Sequence, residues 1–363
     1  MPTIANGSFF LPGPTEVRPE VLQAMCRPMV SHRSEEFIAL YARLSAALQL
    51  AFRTARPVYS VSASATAMME MAIRGAPEGP VLSLVNGAFA ERFARVAQRC
   101  GRRARIVSVP WGETHPLALV KQHLAETPYA AMTLVHSETS AGSLADLRSL
   151  TELAHRYGVM VLADAVTSLG AAPIETDAWG VDFVFTGSQK ALALPPGLAF
   201  GVASEAYILQ AGVVPERGRY LDPVEYEESA LRGGTPTTPA IPLFYAADEQ
   251  LRAITAEGIE ARWARHAAMQ AATEQWVAAR NAEGIGLAFQ SPAGARSPSV
   301  SCLQLPPDRE AAPVVAALKA KGFIIGRGYG PLQDSTIRIG HMGDHSVEGL
   351  QRCLDALTDV LRA

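Results

Sequence analysis

Between about residues 58 and 205 the chain alternates short β-branched or apolar runs with amphipathic stretches. The runs at 81–84, 105–109, 131–136, 159–163, 183–186 and 199–202 have the length and composition of strands. Between them, 90–99 and 146–157 carry helical spacing, and the glycines that follow, Gly101 and Gly158, suit a left-handed helix end. Strands that alternate with helices feed a mainly parallel sheet, so the pattern predicts an α/β unit. Segments 195–197 and 233–239 read as loops, because proline lacks an N–H and glycine tolerates positive φ. A long stretch from Ile259 to about Asn281 reads as a connecting helix, with Ile259, Trp263, His266, Gln270, Thr273 and Val277 on one side. Beyond it the pattern resets to a strand at 300–305, a helix at 310–321, strands at 323–325 and 336–339, and a final helix from about Ser346. In that helix Val347, Leu350, Leu354, Leu357 and Leu361 recur every three or four residues and mark one apolar face. The expected division is an N-terminal segment (1–20) that packs on the small domain or on a partner subunit, a large domain (21–257), and a connecting helix with a small α/β domain (258–363).

Composition narrows the function. With 363 residues, 48% hydrophobic and 18% charged, the chain can bury a large core. A net charge of −3, from 32 basic and 35 acidic residues spread along the length, gives no footprint for nucleic acid or an anionic membrane, which leaves a small molecule as the partner. The N-terminus has no basic stretch followed by an apolar one, and nowhere do 18 apolar residues run together, so a cytoplasmic location is the default. The four cysteines, Cys26, Cys100, Cys302 and Cys353, are too scattered for a disulfide framework and contain no Cys-x-x-Cys pair, which suits reduced thiols.

The candidate chemistry lies at strand ends. Asp164 closes the apolar run 159–163, and Lys190 follows the next run in Gly187-Ser188-Gln189-Lys190; ligands of open parallel sheets bind at that edge. Pyridoxal 5'-phosphate (PLP) needs such a pair: a lysine to hold it as a Schiff base and an acid to keep its pyridine nitrogen protonated. Taken alone, the same residues serve equally as a helix cap and a surface charge. Ser60 to Glu70 leads small hydroxylated residues from a strand into a helix, and Ser64 or Thr66 there either caps the helix or faces a phosphate. Phe89, after Asn86-Gly87-Ala88, either stacks on a ring or packs in the core. Thr139, in His136-Ser137-Glu138-Thr139-Ser140-Ala141-Gly142, either donates to a ligand or completes a turn.

Together these motifs resemble the class V aminotransferases of PLP fold type I, nearest the alanine/serine-glyoxylate and serine-pyruvate group. The resemblance runs from Leu11-Pro12-Gly13-Pro14-Thr15 almost to the C-terminus, and its most specific stretch is Asp164-Ala165-Val166-Thr167-Ser168-Leu169-Gly170 followed by Gly187-Ser188-Gln189-Lys190 and Pro195-Pro196-Gly197. It implies an α/β fold with a mainly parallel seven-stranded sheet in the large domain. It also implies Lys190 as the Schiff-base lysine, Asp164 on the pyridine nitrogen, Val166 on one ring face and Phe89 on the stacking side, where relatives often carry Trp. Ser64, Ala65, Thr66 and Gln189 would hold the phosphate, with Thr139 near the ring. Arg338 would bind the substrate carboxylate, a role that a planar guanidinium fills through paired hydrogen bonds. A homodimer with the active site at the subunit interface is implied, in which Thr237 and Thr235 reach the neighbour's phosphate. Two departures stand out: Ala63 and Ala65 replace glycines that flank the phosphate serine in relatives, and Gly234 stands near the place of an absent tyrosine.

The implied activity is transfer of an amino group from a small amino acid of alanine, serine or glycine type to a small 2-oxo acid of glyoxylate or pyruvate type, by a ping-pong mechanism. The rival within the class is a lyase or desulfurase, which needs a reactive thiol over the cofactor, and Cys302 and Cys353 lie on a strand and a helix instead. A catalytically inactive PLP-fold binding module is the rival outside it, and Lys190, Asp164 and Arg338 together argue against that. Gly326-Arg327-Gly328-Tyr329-Gly330 lacks the Rossmann spacing and reads as a flexible loop near the substrate. His341 and His345 flank Asp344, yet Gly340 and Gly343 argue against a helical metal motif, and no metal is expected.

Overall fold

Five-residue runs such as Val81–Val85 (VLSLV) and Ala131–Val135 (AMTLV) are buried along their whole length, which only a sheet covered on both faces allows. The computed structural model describes residues 7–363. Its large sheet has seven strands: β1 (Tyr59–Val61), β2 (Val81–Val85), β3 (Ala104–Ser108), β4 (Ala131–Val135), β5 (Met160–Asp164), β6 (Phe183–Gly187) and β7 (Ala199–Ala203). They lie in the order β1-β7-β6-β5-β4-β2-β3. Strands β3, β2, β4, β5 and β6 run parallel, and β7 runs antiparallel to β6 and β1. Successive side chains feed opposite cores: Phe183 and Phe185 pack with Met68 and Phe93 on one face, whereas Val184 and Phe200 pack with Leu44 and Phe244 on the other. Only β3, at the edge, exposes residues such as Ile106.

Two long helices absent from the sequence-based expectation, Glu35–Phe52 and Ile241–Glu257, cover one face. The connecting helix spans Ile259–Ala282 and buries Ile259, Trp263, His266, Thr273 and Val277 of the expected side, with Arg262, Met269 and Trp276 buried beside them and Gln270 only half-buried. A second sheet follows the order Phe9–Phe10, Ile324–Arg327, Thr336–Ile339, Ser301–Gln304, Ala288–Phe289. The final helix, Val347–Arg362, buries Leu350, Leu354, Leu357 and Leu361 on it, and Val347 only in part. Gly326 and Arg327 belong to a strand rather than the flexible loop expected at 326–330, because they pair with Arg338 and Ile337. Residues 1–6, the start of the expected N-terminal segment, lie outside the described residues.

The short strand Phe9–Phe10 crosses to the second sheet and pairs in parallel with Ile324 and Ile325. The chain then passes directly over the end of β6: the Thr15 N–H donates to the Gln189 carbonyl at 3.0 Å, and the Thr15 hydroxyl to the Lys190 carbonyl at 3.0 Å. Gly13, at φ +100°, lies against the Lys190 side chain so closely that a Cβ there would overlap Nζ.

Candidate active site

A cavity of ≈ 130 Å³ opens at the carboxyl ends of the parallel strands. Asp164 ends β5 and Lys190 follows β6 by three residues, so adjacent parallel strands deliver both to one wall. Their neighbours on that wall include Ser64, Ala65, Thr66, Phe89, Thr139, Val166 and Gln189. The structure thus brings nine of the sequence-predicted residues around one space. Thr235 and Thr237 are not among them. They lie on the loop after helix Pro223–Leu231, where the Thr235 hydroxyl donates to the Thr237 carbonyl, and Thr235 lines a separate surface groove with His32, Arg33 and Arg219. Arg338, on Thr336–Ile339, stands beside the cavity rather than in its wall: Nη1 donates to the Thr139 carbonyl at 3.2 Å and Nε to the Arg327 carbonyl at 2.9 Å.

The charges fit the chemistry of the proposed ligand. Asp164 is buried, and its Oδ1 accepts the Val166 N–H at 2.8 Å; among the described residues no other hydrogen bond reaches the carboxylate. Burial pushes its pKa up to about 7, against the pull of Val166, Lys190 and Arg92. A buried acid with an unclaimed oxygen is what a ring N–H would satisfy. Burial, reinforced by the Arg338 charge, brings the Lys190 pKa down to about 8, and Nζ donates to the Pro12 carbonyl. Lys190 is also the one buried lysine of the chain's four; Lys121, Lys319 and Lys321 are exposed. Ser64 is the N-cap residue of helix Ala65–Gly75, yet its side chain makes no capping bond, which leaves its hydroxyl and the first helical N–H groups for an anion. Neither Ala63 nor Ala65 has a positive φ, so the backbone conformation at these two positions does not require glycine. The residues present therefore fit PLP.

Phe89 is the second residue of helix Ala88–Arg99, with Lys190 Nζ 5.8 Å from its ring centre and the Arg92 guanidinium 4.8 Å from it. The Tyr329 ring stands 5.8 Å from Phe89 and 5.7 Å from the Arg338 guanidinium, forming an aromatic corner beside the cavity. Sequence reasoning gave no role to Arg92, Met69, Val135, Ser137 or Thr167, which also line the wall. For Arg92 a signal existed, since it lies one helical turn beyond Phe89. Cys302 is buried with its thiol pushed up to about 11, and Cys353 likewise up to about 12, so both are thiols rather than thiolates at neutral pH. His341 bonds Ser301 and the Pro298 carbonyl, and His345 bonds the Phe9 carbonyl.

A mainly parallel seven-stranded sheet flanked by helices, with a lysine and a carboxylate at its carboxyl edge, is the architecture of PLP fold type I. The Aminotransferase class-V family model matches residues 13–329. An alanine–glyoxylate aminotransferase structure from Nostoc is similar with a TM-score of 0.90 and 32% identity, covering 100% of this chain and 97% of that one. An aspartate aminotransferase structure from Thermus thermophilus has a TM-score of 0.88 at 31% identity, covering 98% and 99%. The alanine–glyoxylate aminotransferase of Oryctolagus cuniculus is 32% identical over 97% of this chain and 91% of its own length. The chain belongs to the class V aminotransferases and is a PLP-dependent transaminase, acting between an amino acid and a 2-oxo acid. No helix among the described residues is long and apolar enough to cross a membrane.

Proposed function

We propose that this transaminase moves the amino group of a small amino acid, of alanine, serine or glycine type, to glyoxylate or pyruvate by a ping-pong mechanism. The observation that carries the reading is the grouping of Lys190, Asp164 and Phe89 on one cavity with Arg338 and Tyr329 beside it. PLP, when bound, supplies the electron sink of the reaction. Lys190 anchors it and then, as the free amine, takes the proton from the substrate Cα; its lowered pKa suits a base near neutral pH. Asp164 holds a negative charge against the pyridine nitrogen, and Val166 and Phe89 close the two ring faces. Ser64, Ala65, Thr66 and Gln189 hold the phosphate, and Thr139 stands near the ring. Arg338 fixes the substrate carboxylate and so chooses which Cα bond faces Lys190.

A small uncharged side chain is favoured over an acidic one by two features. Phe89 and Tyr329 close the corner next to Arg338 with aromatic surface, and of the two further cations nearby Arg327 is paired with Asp334 and Arg92 lies over the Phe89 ring. The Nostoc and rabbit relatives, named for alanine and glyoxylate, support the same choice; the Thermus relative, named for aspartate, makes aspartate the donor to test against it.

We divide the chain into the N-terminal segment 1–20, the large domain 21–257 and the small domain 258–363. A homodimer accounts for Thr235 and Thr237: they lie away from their own cavity, on a loop beside the exposed Ile38 and Leu231, and would reach the partner's phosphate. Four free cysteines suit the reducing cytoplasm. The test is a donor panel of alanine, serine, glycine, aspartate and cysteine with glyoxylate or pyruvate. Oxo-acid formation from the small donors supports the reading; a preference for aspartate, or sulfide release from cysteine, contradicts it.

A further inference from the structure

The turn after β4 carries a buried carboxylate to which the proposed reaction gives no role. Glu138 is 0% exposed and lies between Ser137 and Thr139, which both line the cavity. Its Oε2 accepts the backbone N–H groups of Phe89 at 3.1 Å and Ala90 at 3.0 Å. Its Oε1 accepts the N–H of Ser140 at 3.0 Å and the Ser140 hydroxyl at 2.6 Å. The N-cap residue of helix Ala88–Arg99 is Gly87, which has no side chain to cap with, so Glu138 caps the helix from another element. Ser140 completes the arrangement by accepting the Ala88 N–H at 3.0 Å. A Cβ on Gly87 would stand 2.6 Å from both Glu138 Cδ and Ser140 Oγ, so only glycine admits the pair.

Burial raises the Glu138 pKa overall, against the hydrogen bonds made to its oxygens, each of which favours the charged form. The positive end of a 12-residue helix favours it further. The very next carbonyl, that of Thr139, accepts from Arg338. A single turn therefore holds the helix start that bears Phe89 and, one residue on, the arginine proposed for the substrate carboxylate.

We propose that Glu138 is a positioning residue: its carboxylate fixes the Phe89 ring as the plate for the cofactor, in register with Arg338. The proposal rests on the reading of Phe89 as that plate. Glutamine cannot replace Glu138, because its one carbonyl oxygen serves one pair of donors while its amide NH₂ faces the other pair. Loss of those acceptors frees the first turn of the helix, and the ring moves with it.

The experiment compares Glu138→Gln, Ser140→Ala and Phe89→Leu, each with and without PLP. In cofactor-free Glu138→Gln, the amides of Phe89 and Ala90 should exchange hydrogen about tenfold faster, the scale of one lost bond to a charged group, while those of β5 keep their protection. With PLP, the visible circular dichroism of the bound cofactor should weaken, its Kd should rise about tenfold, and kcat should fall with little change in the KM for amino acid. Phe89→Leu should reproduce the weaker band with its amides still protected. Should Glu138→Gln fail to fold, Ser140→Ala should show the same directions at smaller size. Unchanged amides and an unchanged band in the Glu138 variant, or in the Ser140 variant if only that one folds, would overturn the proposal. Released amides together with a wild-type band and affinity in Phe89→Leu would overturn it by a different route, by removing the plate rather than its support.

Discussion

Replacing Arg338 with Met tests how this protein captures an amino acid. Its guanidinium is held in place by the carbonyls of Thr139 and Arg327, and among the described residues no carboxylate pairs with it. Both N–H groups of Nη2 and one of Nη1 are left for a substrate, and burial without a counter-ion lowers the arginine's pKa. A carboxylate bound there gains a paired, charge-assisted contact and supplies the missing anion. Hydrogen bonds to charged groups contribute about 1.5–3 kcal/mol each, so the loss is on the order of 3 kcal/mol. That converts to roughly a hundredfold in kcat/KM. The assay pairs steady-state transamination of alanine and glyoxylate with titration by acetate, a carboxylate that cannot react, read from the cofactor band. The variant should lose affinity for acetate along with kcat/KM and still bind PLP as the wild type does. A kcat/KM and acetate affinity near wild type would refute the reasoning.

Capture of PLP needs the neutral amine of Lys190, so the capture rate of the cofactor-free protein should climb with pH and level off above about 8; stopped-flow absorbance that climbs on to the ordinary lysine range would contradict the lowered pKa. Burial lowers the pKa of His136 and of His341 from 6.5 to about 4, so below 6.5 the unfolded chain binds protons that the folded one refuses. Stability should fall as pH drops from 6.5 to 4, by roughly 3 kcal/mol per histidine, and a flat urea midpoint over that range would oppose it. Arg262, 1% exposed, ties Glu257, Asp344 and the Ala191 carbonyl together; Arg262→Ala should cost about 3 kcal/mol in urea denaturation, and a neutral effect would deny it a structural role.

Where the sequence was legible, the reason is local. Runs such as Val159-Met160-Val161-Leu162-Ala163 are buried on both faces and end in a polar residue at the sheet edge, so Asp164 and Lys190 could be placed before any coordinates. The final helix was equally plain, because its leucines keep helical spacing. The antiparallel direction of β7 was not legible, since a short apolar run carries no sign of its direction. The helices Glu35–Phe52 and Ile241–Glu257 were missed although both bury an apolar stripe. Nothing in the sequence singles out Arg262, because its partners Asp344 and Ala191 come from distant parts of the chain. Glu138 sits in the turn at residues 136–142, but its role depends on Gly87 lying opposite, which only the fold supplies.

The proposed reaction requires Lys190 to carry the cofactor, and with four lysines in the chain the attachment point can be read directly. The PLP-loaded protein is reduced with borohydride, digested and weighed by peptide mass spectrometry. The cofactor's mass should appear on the peptide containing Lys190 and nowhere else; its appearance on Lys121, Lys319 or Lys321, or on no peptide at all, would contradict the central claim.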